Sequence, residues 1–139
     1  MSYIGPFFLP HKPPLLLIDE VLFSEYLSSC HAIKNLTYNE WFFPAHFPDK
    51  PIVPGSILIE AATQTVVVAL INNINNSTVE PLPILISVDQ FRMYKEAIPG
   101  DRINFFASLE VKNGFCSSKV KMICEDRIIA KCVLTFRIR

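Results

Sequence analysis

The chain has few of the features that would assign it to a class of protein at once. Thirteen Lys and Arg residues balance thirteen Asp and Glu residues, so the basic excess typical of nucleic-acid-binding domains is missing. No apolar run reaches the roughly 18–20 residues that a membrane-spanning helix needs. The cysteines form no CxxC pair and the histidines form neither HxH nor HExxH, so we expect no metal site and no cofactor.

What is present suits one small, apolar, globular domain covering residues 1–139. Half of the residues are hydrophobic and 19% are charged, which is too apolar for a disordered chain. A neutral, apolar chain of this size tends to associate, so we expect an oligomer. Four cysteines lie in apolar surroundings and are predicted to be free and buried, which indicates a reducing compartment and hence a cytoplasmic location: Cys30, Cys116, Cys124 and Cys132.

The pattern along the chain predicts one long helix among strands, an α+β arrangement. Residues 56–71 contain neither Gly nor Pro and are apolar on nearly all sides, which indicates a buried helix. Asn72, Asn73, Asn75, Asn76 and Ser77 then predict its end and a loop. Alternating segments bounded by turn residues predict about five or six mostly antiparallel strands, in the segments 15–26, 29–36, 84–94, 102–112, 115–125 and 128–139.

The predicted helix carries a polar stripe of Ser56, Glu60, Thr63 and Gln64, spaced so that all four share one face. A carboxylic acid surrounded by apolar groups favours its neutral form, and a neutral acid can serve as a general acid. The alternative is a purely structural carboxylate, solvated at the helix edge or bonded to a buried partner.

His46 and Gly55 are the other candidates for chemistry. His46 lies in a loop stiffened by Pro44, Pro48 and Pro51, where a neutral imidazole would be a suitable base. The alternative is a histidine that is only packed among phenylalanines, and His11 and His31 are predicted to be structural or surface residues. Gly55 precedes the helix, whose first N–H groups lack internal partners and could polarise a carbonyl oxygen. A base, an acid and such a donor together fit proton abstraction beside a carbonyl.

The same residues resemble a known signature, that of the (3R)-hydroxyacyl-[acyl carrier protein] dehydratases. The resemblance starts from His46-Phe47-Pro48-x-Lys50-Pro51-Ile52-x-Pro54-Gly55-x-x-x-x-Glu60-Ala61-x-x-Gln64. It extends to Leu9-Pro10-His11-Lys12 and the residues up to Asp19, to Lys34-Asn35-Leu36-Thr37, to Val88-Asp89-x-Phe91-Arg92 and to Ile98-Pro99-Gly100-Asp101. It therefore covers nearly the whole chain.

This resemblance implies a hotdog fold, in which a curved antiparallel sheet wraps one long helix. It implies a homodimer, or a trimer of such dimers, with each active site at a dimer interface. His46 of one subunit would remove the C2 proton of a 3-hydroxyacyl thioester, and Glu60 of the other would protonate the departing C3 hydroxyl. The substrate would contact Gly55, whose N–H would hold the thioester carbonyl, together with Gln64, Phe47 and Pro54. The pathway would be fatty-acid synthesis or a related lipid or polyketide pathway.

The expected partner is an acyl carrier protein bearing the thioester. Residues 91–139 carry ten basic and five acidic side chains, and such carriers are acidic, so Arg92, Lys95 and Arg102 are candidate docking residues. The alternative is that these cations are solvated outward positions on strands. Three other functions remain open from the sequence: a hotdog thioesterase, an enoyl-thioester hydratase, and a non-catalytic subunit that binds acyl carriers.

Overall fold

The computed structural model describes residues 9–71 and 82–138, which form one helix and one sheet. The elements are β1 (Glu20–Glu25), β2 (Ser29–Asn35), α1 (Gly55–Leu70), β3 (Ile84–Met93), β4 (Arg102–Lys112), β5 (Phe115–Cys124) and β6 (Arg127–Arg137). Every strand pairs antiparallel with its neighbours, in the order β1-β2-β4-β5-β6-β3. This confirms the predicted α+β arrangement. The predicted loop at Asn72, Asn73, Asn75, Asn76 and Ser77 lies outside the described residues.

The helix is buried because its side chains are apolar on almost every side. Eleven of its sixteen residues are buried, including all nine from Ala61 to Ala69. They share one core cluster with alternate residues of the sheet, such as Phe105, Leu134 and Phe136, which are fully buried. No helix in the described parts of the chain is both long enough and apolar enough to cross a membrane.

The hairpin between β4 and β5 forms where the sequence predicts it. Asn113 and Gly114 both have positive φ, at 54° and 80°, which is the backbone conformation of the two-residue type I′ turn. The turn fixes the register from Lys112 opposite Phe115 to Asn104 opposite Ile123. Residues on one face of this hairpin are buried in the core, and most of those on the other face are exposed.

The prediction that the first strand begins at Leu15 is wrong, since β1 begins at Glu20. The N–H groups of Leu15 and Leu16 donate to the Lys12 carbonyl in a turn. Those of Leu17 and Ile18 donate to the side chain of Gln64 on α1, so they are not available to a neighbouring strand. Backbone pairing with β2 starts only at Asp19, whose N–H donates to the Ile33 carbonyl.

A buried ion pair anchors the start of the loop that carries His46. Lys34 at the end of β2 is 8% exposed, and its Nζ lies 2.8 Å from Glu40 Oε2. Glu40 also accepts a hydrogen bond from the Thr37 N–H. Because one buried charge is matched by a close carboxylate, the turn after β2 is held in place.

The four cysteines are free and buried, as predicted. Burial raises the pKa of the Cys30 thiol to about 12 and those of Cys116 and Cys132 to about 11. These three side chains therefore stay protonated near neutral pH. They act as small apolar groups of the core and are not available as thiolate nucleophiles.

Candidate active site

Gln64 is the most fully bonded side chain of the site. It is 0% exposed and makes four hydrogen bonds. Its Oε1 accepts from the N–H groups of Leu17 and Ile18, at 2.9 and 3.3 Å, and its Nε2 donates to the Leu15 carbonyl at 2.7 Å and to Glu60 Oε2 at 3.1 Å. The opposite amide orientation would set donors against donors, so these partners determine which atom is the oxygen.

Glu60 lies one turn before Gln64 on α1 and is half-buried, with 29% of its side chain exposed. Its Oε2 accepts the hydrogen bond from Gln64 and lies 3.7 Å from His11 Nε2. Within residues 9–71 and 82–138, Oε1 has no hydrogen-bond partner. The carboxyl group is therefore held at one oxygen, and the other can meet a substrate.

His11 is brought to the site by the fold, although the sequence predicts only a structural or surface role for it. The Gln64 bonds fasten the segment that follows His11 onto α1, and this brings the imidazole beside Glu60. Desolvation lowers the pKa of His11, while the charge of Glu60 acts in the opposite direction and more weakly. A neutral His11 at pH 7 puts no full positive charge beside the acid. One feature of the sequence could have indicated this role: His11 lies in the segment from Leu9 to Asp19, which is part of the resemblance to the dehydratase signature.

His46 occupies the loop before α1, and backbone hydrogen bonds hold it there. Its N–H donates to the Phe43 carbonyl, and its carbonyl accepts from the Ile52 N–H. The ring Nδ1 lies 3.3 Å from the Ile52 carbonyl oxygen. Because a carbonyl only accepts, this contact places a proton on Nδ1, so in the neutral imidazole the lone pair is on Nε2, which is the tautomer that a base requires.

Phe47 and Pro54 lie in the same loop, Phe47 directly after His46 and Pro54 directly before the first residue of α1. The Phe47 ring stacks on the His46 ring with a centroid separation of 4.2 Å, and 52% of Phe47 is exposed. The Phe47 N–H and carbonyl both pair with Lys50, forming a tight turn. Pro54 caps α1, and its carbonyl accepts from the N–H groups of Ile57 and Leu58.

Gly55 begins the helix at a place where the chain comes close to β3. A Cβ added there would lie 3.2 Å from a ring carbon of Phe91 and 3.6 Å from the sulfur of Met93. A side chain at this position would therefore crowd Phe91. No hydrogen-bond partner is found in the described residues for the N–H groups of Gly55 and Ser56, so they can donate to a ligand oxygen.

The structure brings some of the predicted site residues together and keeps others apart. Glu60, Gln64 and His11 form one contact group, while His46, Phe47 and Ile52 form another. Across the parts of the chain that the structure describes, no hydrogen bond or ion pair joins His46 to Glu60.

The candidate docking residues Arg92, Lys95 and Arg102 are all exposed. Arg102 forms an ion pair with Glu20, at a distance of 3.4 Å.

One long helix enclosed by a six-stranded antiparallel sheet places the chain among the hotdog folds. The dehydratase heterocomplex ApeI:P from Xenorhabdus doucetiae matches with a TM-score of 0.78 and 16% identity, over 99% of this chain and 93% of that one. A hypothetical thioesterase from Streptococcus pneumoniae, solved with coenzyme A, matches with a TM-score of 0.60 and 11% identity, over 83% of this chain and 81% of that one. At these identities the likeness shows the fold alone.

The sequence comparisons are more specific. A family model for the FabA-like domain matches residues 9–132. The chain is 35% identical to a 3-hydroxyacyl-[acyl-carrier-protein] dehydratase FabZ from Ralstonia nicotianae, over 94% of this chain and 81% of that protein. It is 32% identical to the FabZ of Staphylococcus aureus, over 94% and 89%. The chain belongs to the FabA-like family, as a FabZ-type hotdog dehydratase.

Replacing Gln64 by Leu should destabilise the protein, because the change leaves two N–H groups and a carbonyl without their partner. We expect a loss of about 2–4 kcal/mol in the free energy of unfolding. Thr65→Val is the matched control on the same helix, since it removes only the Thr65 hydroxyl bond to the Ala61 carbonyl and should cost about 1 kcal/mol. Denaturant titration measures both. Equal losses would mean that Gln64 does not anchor the segment before β1.

The lowered pKa of His11 predicts a stability loss on the acid side. The unfolded chain protonates this imidazole near its ordinary value of about 6.5, whereas the folded chain resists protonation until a lower pH. The contribution of His11 to the free energy of unfolding is therefore complete above about pH 6.5, and it declines as the pH falls from there to the pKa of His11 in the folded chain. His11→Gln should show a shallower decline than wild type over this window in denaturant titrations. Parallel curves for the two proteins would contradict a depressed His11 pKa.

Proposed function

We propose that this protein dehydrates (3R)-hydroxyacyl thioesters carried by an acyl carrier protein to trans-2-enoyl thioesters, in fatty-acid synthesis or a related lipid or polyketide pathway. The observation that carries the proposal is the preset chemistry of two groups. His46 directs Nδ1 at the Ile52 carbonyl, which leaves Nε2 as the base nitrogen of the neutral ring, and Glu60 is held through Oε2 with Oε1 open. The sequence relatives named as 3-hydroxyacyl-[acyl-carrier-protein] dehydratases support the reaction and its carrier.

The proposed reaction needs a base, an acid and a polarised carbonyl. The Gly55 N–H donates to the thioester oxygen, which acidifies the C2 proton. His46 Nε2 takes that proton, the C2–H electron pair becomes the C2–C3 double bond, and the C3–O bond breaks. Glu60 gives its proton to the departing hydroxyl, so water leaves while a carboxylate and an imidazolium remain. Gln64 keeps the carboxyl group oriented, and Phe47 and Pro54 border the acyl chain.

We propose further that the acid and the base of each site come from two copies of the chain. Two observations support this. Contacts within the described residues of one chain do not join His46 to Glu60. Strand β3 lies at the end of the sheet, and its exposed apolar residues include Ile84, Ile86 and Val88. A long apolar edge of this kind favours pairing with another strand, and a two-fold dimer would supply one.

The proposal treats the whole chain, residues 1–139, as one hotdog domain. Its four buried free cysteines fit a reducing compartment such as the cytoplasm.

The thioesterase alternative shares the fold, as the Streptococcus pneumoniae structure shows, but the sequence match is to dehydratases. An enoyl-thioester hydratase would use the same groups to add water to the double bond. It differs from a dehydratase only in the direction in which the reaction runs.

We expect purified protein to interconvert a trans-2-enoyl and a 3-hydroxyacyl thioester of N-acetylcysteamine, followed by the enoyl absorbance. His46→Ala and Glu60→Ala should each lower the rate about 10²–10⁴-fold, because each removes one proton-transfer group. Glu110→Ala, which removes an exposed carboxylate on β4, should keep the wild-type rate. Release of free thiol would instead indicate a thioesterase, and no change in absorbance would indicate a non-catalytic binding subunit.

A further inference from the structure

The chain between β2 and His46 passes through three successive turns. In each turn an N–H group donates to the carbonyl three residues earlier: that of Glu40 to Thr37, that of Phe43 to Glu40 and that of His46 to Phe43. The N–O distances are 3.2, 3.3 and 3.1 Å, which lie toward or beyond the long end of the usual range. We call residues 37–46 the turn series. Backbone bonds of this length fix the candidate base only weakly, so its position also depends on the side chains that hold the series.

The middle and the far end of this loop are held against the rest of the fold. Phe42 and Phe43 are buried in the hydrophobic core, so they anchor the middle of the turn series. After His46, the Val53 N–H donates to the Ala97 carbonyl at 2.8 Å, which fixes the chain just before α1. These contacts keep the loop folded, but they do not fix the first turn of the series.

A buried cation on the sheet fixes the first turn. The Nζ of Lys34, which is buried on β2, lies 2.8 Å from Oε2 of Glu40, whose side chain is 14% exposed. The same oxygen accepts a hydrogen bond from the Thr37 N–H at 3.3 Å. A hydrogen bond between charged groups is roughly twice as strong as one between neutral groups. Glu40 is therefore tied both to β2 and to the backbone of the turn series.

Lys34 also contacts the segment that supports the candidate acid. Its Nζ lies 3.7 Å from Oδ2 of Asp19, and that oxygen accepts a hydrogen bond from the Asn35 N–H at 2.7 Å. Asp19 directly follows Leu17 and Ile18, whose N–H groups donate to the side chain of Gln64. One ammonium group therefore meets two carboxylates, one beside the support of the acid and one at the start of the loop that carries the base.

A second ion pair of the loop is of a different kind. The Nζ of Lys50 lies 3.9 Å from Oε1 of Glu96, and 73% and 57% of these two side chains are exposed. Exposed pairs of this length contribute little to the position of either partner. Among the ion pairs within residues 9–71 and 82–138, that of Lys34 is thus the one that joins the turn series to a strand.

We propose that Lys34 is a positioning residue for His46, an inference that rests on the proposed role of His46 as the base. The buried ammonium fixes Glu40 and with it the first turn, and the next two turns carry this placement to the imidazole. Nδ1 of His46 then stays beside the Ile52 carbonyl, and Nε2 stays directed for proton transfer. A displacement of about 1 Å can cost about 10²-fold in rate, so a residue that does not touch the substrate can control kcat.

The first test is kinetic and uses the N-acetylcysteamine thioester. Lys34→Met removes the ammonium and keeps an apolar side chain. It should lower kcat about tenfold or more and change KM less than about twofold, because the groups that bind the substrate are untouched while the base is displaced. Lys34→Arg keeps a cation that can reach Glu40, and its kcat should lie within about threefold of wild type. A wild-type kcat in Lys34→Met would overturn the proposal.

Leu109→Ala is the control for lost stability. Leu109 is buried on β4, and its N–H donates to the Ser28 carbonyl in the β1–β2 turn, which contacts Ala69 at the end of α1 remote from His46. That end lies roughly 20 Å along the helix from its first residue. Leu109→Ala and Lys34→Met should both lower Tm, because one leaves a cavity and the other leaves a buried carboxylate unpaired. Leu109→Ala should change kcat less than about twofold. Equal losses of kcat in the two variants would mean general destabilisation and would contradict a positioning role.

A double variant separates position from stability, and it serves also if Lys34→Met alone does not fold. Lys34→Met with Glu40→Leu replaces the buried pair by apolar side chains, which often preserves stability. Its Tm should be close to that of wild type, but kcat should stay low because the Thr37 N–H has lost its acceptor. Recovery of both Tm and kcat would show that Lys34 serves stability alone.

The second test needs no turnover. In protein with ¹⁵N-labelled histidine at about pH 8, where an ordinary imidazole is neutral, the ring shifts of His46 should report a proton on Nδ1 in wild type. Lys34→Met should shift them toward a mixture of the two tautomers, and Leu109→Ala should not. Unchanged His46 shifts in Lys34→Met would overturn the positioning role. A lack of turnover by wild type would instead overturn the proposed function, and the ring shifts would still decide whether Lys34 positions His46.

Discussion

The buried amide of Gln64 is the contact on which the arrangement of the site depends. Leu17 and Ile18 turn their N–H groups toward α1 only because an acceptor is present there. The same amide donates to Glu60, so it holds together the helix, the segment before β1 and the candidate acid. An unsatisfied amide in such a position would be costly, so the four bonds support one another. His11 reaches Glu60 as a consequence.

The proposed base, His46, and the proposed donor for the carbonyl, the Gly55 N–H, are fixed by different parts of the backbone. The carbonyl of Ile52 favours the neutral tautomer of His46 with its proton on Nδ1, and a side chain at position 55 would crowd Phe91. None of these constraints involves the substrate. The groups are therefore set before a ligand binds, which is the condition under which positioned acids, bases and N–H donors are most effective.

Much of the fold could be predicted from the local sequence. A stretch free of Gly and Pro predicted α1 to within one residue at each end, and Asn-Gly predicted the β4–β5 turn. What could not be predicted required knowledge of which distant residues meet. Leu15 belongs to an apolar run typical of a strand, but a side chain 49 positions away takes its backbone carbonyl instead. Likewise the pairing of Lys121 with Lys131 and of Lys131 with Arg92 depends on register across three strands.

The proposal that His46 of one subunit acts with Glu60 of another is tested most directly by mixing two inactive variants. His46→Ala and Glu60→Ala proteins are combined in equal amounts, and subunit exchange is verified by mass before the enoyl absorbance is followed. Random exchange makes half of the dimers hybrid, each with one intact site, so about a quarter of the wild-type activity should return. If verified hybrids remain as inactive as either parent, the acid and the base do not meet across a subunit interface.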